Sequence, residues 1–226
     1  MDLIDLIFPR KCFGCGREGA YICPKCLSNT RLVKPICPTC GKPSVDGMTH
    51  ANCVRPLGLD GLVAFWKYDG AIRKSILSLK YQFAFDIAQE LGQHLLMALQ
   101  ADFNPLPKRA LLIPIPIYKD RENWRGFNQA EEIGKILADA LGWELAPDLL
   151  TKRVRTQPQT ELARKERLKN LRGVFSLNPH YPLPINHQPL ILFDDVWTTG
   201  STLKEATKSL KRSGFKKVWG LTLARG

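Results

Sequence analysis

The stretch LILFDDVWTTGST, residues 190–202, decides what kind of fold this chain can form. Its four leading apolar residues predict a buried strand, and the helical pattern that follows starts near Ser201. In open parallel sheets, ligands bind outside the carboxyl ends of the strands. The strand therefore brings two neighbouring carboxylates, Asp194 and Asp195, to an edge where a ligand can bind.

The residues after the two acids suit a phosphate group. Backbone N–H groups at a helix start, together with the hydroxyls of residues 198–202, form a cradle for an anion, and Gly200 lets the chain approach it closely. Carboxylates suit sugar hydroxyls instead, or Mg²⁺ that bridges hydroxyls to a pyrophosphate. The combination indicates a phosphorylated sugar with a metal ion.

Two other interpretations apply to the same stretch. An ordinary N-capped helix after a strand also favours Asp and Thr. An apolar strand ending in two acids also occurs in nucleotide-hydrolysing enzymes, but those need a G-x-x-x-x-G-K-[ST] loop, which the sequence lacks.

Strand and helix patterns alternate from residue 58 onward, which predicts an α/β domain over residues 58–226 with a mostly parallel sheet flanked by helices. The stretch 151–189 is rich in charge and proline and predicts loops and short strands. The predicted strands are 62–68, 110–118, 189–195 and 218–224, and the predicted helices are 71–81, 86–99, 128–142 and 201–213.

The first 57 residues predict a small zinc-binding module instead. All seven cysteines lie at or before residue 53, as three CxxC pairs, and the seventh belongs to an HxxC pair. Two such pairs complete a tetrahedral, structural zinc site. Sequential pairing gives the two sites listed here, although the spacing also permits an interleaved pairing: Cys12, Cys15, Cys23 and Cys26 for the first, and Cys37, Cys40, His50 and Cys53 for the second.

The composition limits the class of protein further. The chain has 226 residues and a net charge of +12, which favours a phosphorylated or polyanionic partner, although a basic soluble protein without one has the same balance. No apolar run is long enough for a membrane span, and the N-terminus lacks the features of a signal peptide. These features predict a cytoplasmic protein.

The pattern of apolar strand, two acids, Thr-Thr-Gly and small hydroxyl residues resembles the motif with which type I phosphoribosyltransferases bind 5-phosphoribosyl-1-pyrophosphate (PRPP). RGFNQA, residues 125–130, resembles a hallmark of the ComF subgroup of competence-associated proteins. The cysteine module before the α/β domain and a set of spaced residues also match this subgroup: Thr156, Gln159, Leu162, Arg167 and Asn170.

This resemblance implies roles for particular residues. Asp194 and Asp195 would hold the ribose hydroxyls and act in catalysis, with Mg²⁺ on the pyrophosphate side. The 5′-phosphate would be held by Thr198, Thr199, Gly200, Ser201 and Thr202. Arg121, Arg125 and Gly126 would face the pyrophosphate, and Gln159, Arg167 and Asn170 would belong to the mobile loop that covers the ligand.

Two functional hypotheses follow. The resemblance implies a role in natural transformation, in which the protein handles incoming single-stranded DNA beside a competence helicase. It equally allows an active phosphoribosyltransferase, for which the sequence identifies no acceptor. The basic residues of 152–172 would contact the phosphates of PRPP or DNA, or else form a solvated surface. The oligomeric state is left open.

Overall fold

The computed structural model describes residues 9–79, 84–101, 105–118, 126–152, 173–181 and 188–226. Several residues assigned a role above lie outside these ranges, namely Arg121, Arg125, Gln159, Arg167 and Asn170.

A five-stranded parallel sheet forms the centre of the α/β part. Its strands lie in the order β1-β7-β6-β2-β3, and every neighbouring pair is parallel. A separate antiparallel pair, β4 and β5, lies in the stretch for which short strands were predicted. The strands are β1 Gly61–Lys67, β2 Leu111–Pro114, β3 Glu144–Leu145, β4 Leu150–Lys152, β5 Phe175–Leu177, β6 Leu190–Trp197 and β7 Val218–Arg225.

The helix Gln129–Leu141 has a clear start and stop residue. The Asn128 side chain caps this helix by accepting a hydrogen bond of 3.1 Å from the Ala130 N–H, and Gly142 ends it in the left-handed conformation, as predicted. The helices are α1 Pro24–Ser28, α2 Gly70–Ser78, α3 Ala84–Ala101, α4 Gln129–Leu141 and α5 Ser201–Arg212, with short 3₁₀ turns at Val45–Gly47 and Ala51–Cys53.

Strand β6 is buried on both faces because its side chains alternate between two apolar clusters. Ile191 and Phe193 pack with residues of α3 and α4, whereas Leu190 and Leu192 pack with residues of α5 and of the β4–β5 pair. The continuous apolar run of this strand is the pattern expected for a parallel sheet covered on both sides. The predicted fold class, a mostly parallel sheet with flanking helices, is therefore confirmed.

Strand β6 continues further than its apolar residues predicted. The register with β7 runs past the apolar residues, pairing Asp194 with Thr222 and Trp197 with Arg225. Hydrogen bonding to the neighbouring strand thus holds the two acids in extended backbone. Strand β2, by contrast, stops at Pro114, shorter than predicted, because Pro116 two residues later has no N–H for the ladder.

The cysteine-rich segment packs directly on the α/β part. Ile22 is 1% exposed and belongs to the same apolar cluster as α3 and α4. The Glu90 carboxylate on α3 accepts hydrogen bonds from the backbone N–H groups of Tyr21 (3.0 Å) and Ile22 (2.5 Å). The division at residue 57 stays a prediction. None of the described helices is long and apolar enough to cross a membrane.

Candidate functional site

Asp194 and Asp195 lie near the carboxyl end of β6, as predicted, and both side chains are half-buried. The Asp194 carboxylate accepts a hydrogen bond of 2.9 Å from the backbone N–H of Asp195. The carboxyl end of the central strand therefore carries an acidic pair.

The electrostatics of this pair are unfavourable without a ligand. Burial, and then the charge of Asp195, raise the pKa of Asp194 well above its usual range, while Lys152 on β4 acts in the opposite direction. Burial, and then Asp195, also raise the pKa of the nearby Tyr68. A carboxyl group perturbed in this way by burial and a specific neighbour is a frequent feature of functional sites.

The turn after β6 has the form of an anion cradle. Gly200 adopts the left-handed conformation (φ 71°) at the start of α5, and a Cβ there would lie 2.2 Å from the Trp197 ring. Only glycine fits this position without moving the ring. The hydroxyls of Thr199 and Ser201 lie 2.8 Å apart at the start of α5, and the Ser201 N–H donates a hydrogen bond of 3.3 Å to the Thr199 hydroxyl. These groups together can hold a phosphate.

The RGFNQA stretch contributes mainly structural contacts among the described residues. The Asn128 amide donates a hydrogen bond of 3.1 Å to the Ile115 carbonyl, and the Gln129 amide donates one of 2.9 Å to the Leu79 carbonyl. Both side chains are buried. They hold the exit of β2, the start of α4 and the end of α2 together. Gly126 is exposed and has a positive φ of 80°.

The first cysteine cluster has the geometry of a tetrahedral zinc site. The four Sγ atoms of Cys12, Cys15, Cys23 and Cys26 lie within 4.8 Å of one another. Cys15 and Cys23 are 3.7 Å apart, and a tetrahedron with Zn–S bonds of about 2.3 Å has edges of about 3.8 Å. Burial acts to raise the pKa of Cys12, but backbone N–H groups, first that of Cys23, outweigh it and lower the pKa to about 6. The lowered pKa favours the thiolate form of Cys12, which is the form that binds a metal ion.

The second cluster contains one histidine. Ligand atoms of Cys37, Cys40, His50 and Cys53 also lie within 4.8 Å of one another. The His50 Nδ1 atom is 3.5 Å from the Cys40 Sγ, while its Nε2 is 3.0 Å from the Pro43 carbonyl. Donation from Nε2–H to that carbonyl leaves Nδ1 as the metal ligand, the usual arrangement around zinc-bound histidine. The chain thus brings both groups together in the sequential pairing.

Three cations lie near the site, and of these Lys204 and Arg225 were not singled out by sequence, whereas Lys152 belongs to the basic residues of 152–172. Lys152 lies near Asp194, and the Lys204 Nζ is 5.2 Å from the centre of the Trp197 ring. Arg225, at the end of β7, donates a hydrogen bond of 2.7 Å to the Lys34 carbonyl. Lys204 could have been identified from the sequence, because it is a basic residue one helical turn after Gly200. For Arg225 no signal existed, because only the sheet order places β7 beside β6.

Comparisons with known proteins agree with this architecture. Residues 3–54 match the model of the double zinc ribbon domain, whose two zinc sites fit the two clusters. The chain is 31% identical over 230 residues to DNA utilization protein YhgH of Salmonella typhi, covering 96% of this chain and 98% of that one. It is 32% identical to Competence protein F of Haemophilus influenzae, covering 90% of each chain.

Among solved structures, an adenine phosphoribosyltransferase from Leishmania tarentolae matches 62% of this chain and 71% of its own, with 16% sequence identity and a TM-score of 0.32.

A double zinc ribbon joined to a parallel α/β sheet with an acidic pair and a glycine turn defines the class of protein. The chain belongs to the ComF family, which includes YhgH and Competence protein F.

Proposed function

We propose that the protein binds PRPP at residues 194–202 and acts in DNA uptake and use by handling single-stranded DNA. The observation that carries this proposal is the placement of the acidic pair directly before a glycine turn and a helix start. One strand–turn–helix unit thereby presents acceptors for ribose hydroxyls and donors for a phosphate.

Different residues bind the ribose and the 5′-phosphate of PRPP. Asp194 and Asp195 accept hydrogen bonds from the ribose hydroxyls, since ionised carboxylates are acceptors only. Thr198, Thr199, Gly200, Ser201 and Thr202 hold the 5′-phosphate through hydroxyl and N–H groups.

The donor set also fits Mg²⁺, which prefers carboxylate oxygens and ligand phosphates. The ion would be held through the acidic pair and would neutralise charge on the pyrophosphate. It would also offset the unfavourable charge of Asp194.

The DNA part of the proposal has separate support. Its relatives are named for DNA utilization and competence, and the net charge of +12 attracts polyanions. A competence helicase is the expected partner, and the cytoplasm is the expected location. The double zinc ribbon would stabilise the N-terminal segment, because four protein ligands per ion leave no open position for catalysis.

An active phosphoribosyltransferase is the second candidate, favoured by the perturbed pKa of Asp194 in the acidic pair. In that case an acceptor nucleophile bonds to C1 of the ribose while the bond to pyrophosphate breaks. The acidic pair would fix the ribose as positive charge develops on it.

Calorimetry with PRPP and Mg²⁺ tests the binding site. Asp194→Asn combined with Asp195→Asn removes both acceptors, and we expect affinity to fall by at least tenfold, about 1.4 kcal/mol. Asp139→Asn is a matched control, because Asp139 is exposed on α4. Unchanged affinity of the double variant would refute the site assignment.

A second measurement separates the two candidates. Labelled single-stranded DNA is titrated at two salt concentrations, and pyrophosphate release from PRPP is followed with and without added acceptors. Salt-sensitive DNA binding supports the role in DNA handling. Pyrophosphate release that depends on an acceptor supports the enzyme.

A further inference from the structure

A cleft adjoins the proposed phosphate turn, and its described lining residues do not include the acidic pair. It has a volume of about 310 Å³ and is bounded by the turn, by the end of β7 and by the second zinc knuckle, which is the segment 36–41 around Cys37 and Cys40 of the second cluster. Its walls include Thr198, Thr199, Lys204 and Arg225 on one side and Thr39 and Cys40 on the other. This volume is at the lower end of the range for small-molecule sites, about 300–1,000 Å³, and exceeds the space that one phosphate needs.

The cleft suits an anionic, hydrogen-bonding group. The basic side chains among its described lining residues are Lys204 and Arg225, and no aspartate or glutamate is among them. The Cys40 thiolate also lies in the wall, but a bound zinc ion would offset its charge. Lys204 lies over the Trp197 ring, and its Nζ is 3.5 Å from the Thr199 carbonyl, so it belongs to the same turn.

The position of the cleft limits what can occupy it. Thr198 and Thr199 belong to both the phosphate turn and the cleft, so a group in the cleft would be attached to the 5′-phosphate of the bound ribose. PRPP has no such group. A nucleic acid strand does, because each 5′-phosphate is a diester to the preceding nucleotide.

The acidic pair determines which nucleotide of a strand can bind. Inside a DNA strand the 3′ oxygen carries a phosphate, which two carboxylates would repel. Only the 3′-terminal nucleotide has a free hydroxyl that can donate a hydrogen bond to a carboxylate of the acidic pair.

We infer that this site binds the 3′ end of single-stranded DNA, with the terminal deoxyribose on the acidic pair and the preceding nucleotide in the cleft against the zinc knuckle. This rests on the proposed function, since it uses the PRPP site. PRPP and the strand end would then compete for one site.

Competition between ligands is the test on the full chain. A fluorescently labelled oligothymidylate with a free 3′-hydroxyl is displaced by PRPP, and the same strand with a 3′-phosphate is compared with it. We expect the 3′-phosphate to weaken binding by about tenfold, within the effect of one lost charged contact. We also expect PRPP to displace only the 3′-hydroxyl strand.

Two variants test the cleft itself. Thr39→Trp places a large ring in the cleft from an exposed position, and we expect it to weaken strand binding about tenfold while PRPP affinity is unchanged. Lys204→Gln should reduce the dependence of log affinity on log salt by about 0.7. Lys216→Gln is the control, because Lys216 is exposed just before the amino end of β7, whereas the cleft lies at the carboxyl end of that strand.

The outcomes separate this inference from the proposed function. If the protein binds PRPP but has equal affinity for the 3′-hydroxyl and 3′-phosphate strands, the inference alone is overturned. The same holds if PRPP binds but does not displace the strand. No binding of PRPP overturns the proposed site as well. Zinc content is measured for Thr39→Trp, and if zinc is lost the comparison of strand ends in the unmodified chain decides.

Discussion

The substitution Asp194→Asn is expected to stabilise the ligand-free protein while it weakens PRPP binding. Asp194 carries a charge that the folded state disfavours, because burial and the neighbouring Asp195 both raise its pKa. Asparagine has nearly the same shape and keeps an oxygen that can accept the Asp195 N–H, now 2.9 Å from the carboxylate. The substitution therefore removes the charge with little loss of contact.

The magnitude follows from the charges near this position. Two unit charges about 4 Å apart repel by about 4 kcal/mol at an effective dielectric constant near 20. Lys152 and water on the exposed side offset part of this repulsion. We therefore expect the free energy of unfolding to rise by about 1–2 kcal/mol near neutral pH, which raises the Tm by about 2–8 °C for a chain of this length.

The pH dependence gives the sharper test. An acid whose pKa is raised on folding binds its proton more tightly in the folded state, so stability is lost as pH rises from the unfolded pKa, about 3.9, through the folded one. The gain in the free energy of unfolding from Asp194→Asn should be complete above the pKa of Asp194 in the folded protein. It should vanish below about pH 4.

The assay is urea unfolding without PRPP or Mg²⁺, at several pH values, with Asp139→Asn as the matched exposed control. The control should change stability by less than about 0.5 kcal/mol. A variant that is less stable near neutral pH, or a gain that does not depend on pH, would refute the reasoning about the acidic pair.

Other predictions concern the metal sites, the module contact and the turn. Cys12→Ser should lower bound zinc from about two ions to about one per chain by metal analysis; two ions would contradict the ligand set. Burial acts to raise the pKa of Glu90, but its hydrogen bonds lower it, so Glu90→Gln should cost about 1–2 kcal/mol near neutral pH. That cost should shrink as pH falls below about 4.3 and through the folded pKa; a pH-independent cost in urea unfolding would contradict the role of this charge. Gly200→Ala should lower the stability by about 2–4 kcal/mol in the same assay, because its Cβ meets the Trp197 ring. Gly142→Ala, at a similar φ but in open space, should cost only about 1–2 kcal/mol, and equal costs would contradict the steric explanation.

Local patterns predicted most of the secondary structure. The helix over residues 128–142 has its cap, apolar face and terminal glycine within one segment, so its bounds were predicted within a residue. The end of β6 was not predicted, because the hydrogen bonds that extend it come from β7. The roles of Asn128 and Gln129 were also missed, since their partners, Ile115 and Leu79, lie 13 and 50 residues away in the sequence.

The sequence by itself predicted the parallel α/β class, the Cys and His pairs of the zinc module and the acidic pair before a glycine turn. Each of these depends on local patterns of residue type and spacing, whereas the sequential grouping of the Cys and His pairs came only from the structure. Only the tertiary structure decided which groups surround the pair. The sheet order places the end of β7 and Arg225 next to the turn, and the packing of the second knuckle closes a cleft there. Such contacts arise from long-range packing of buried faces, which no local pattern encodes.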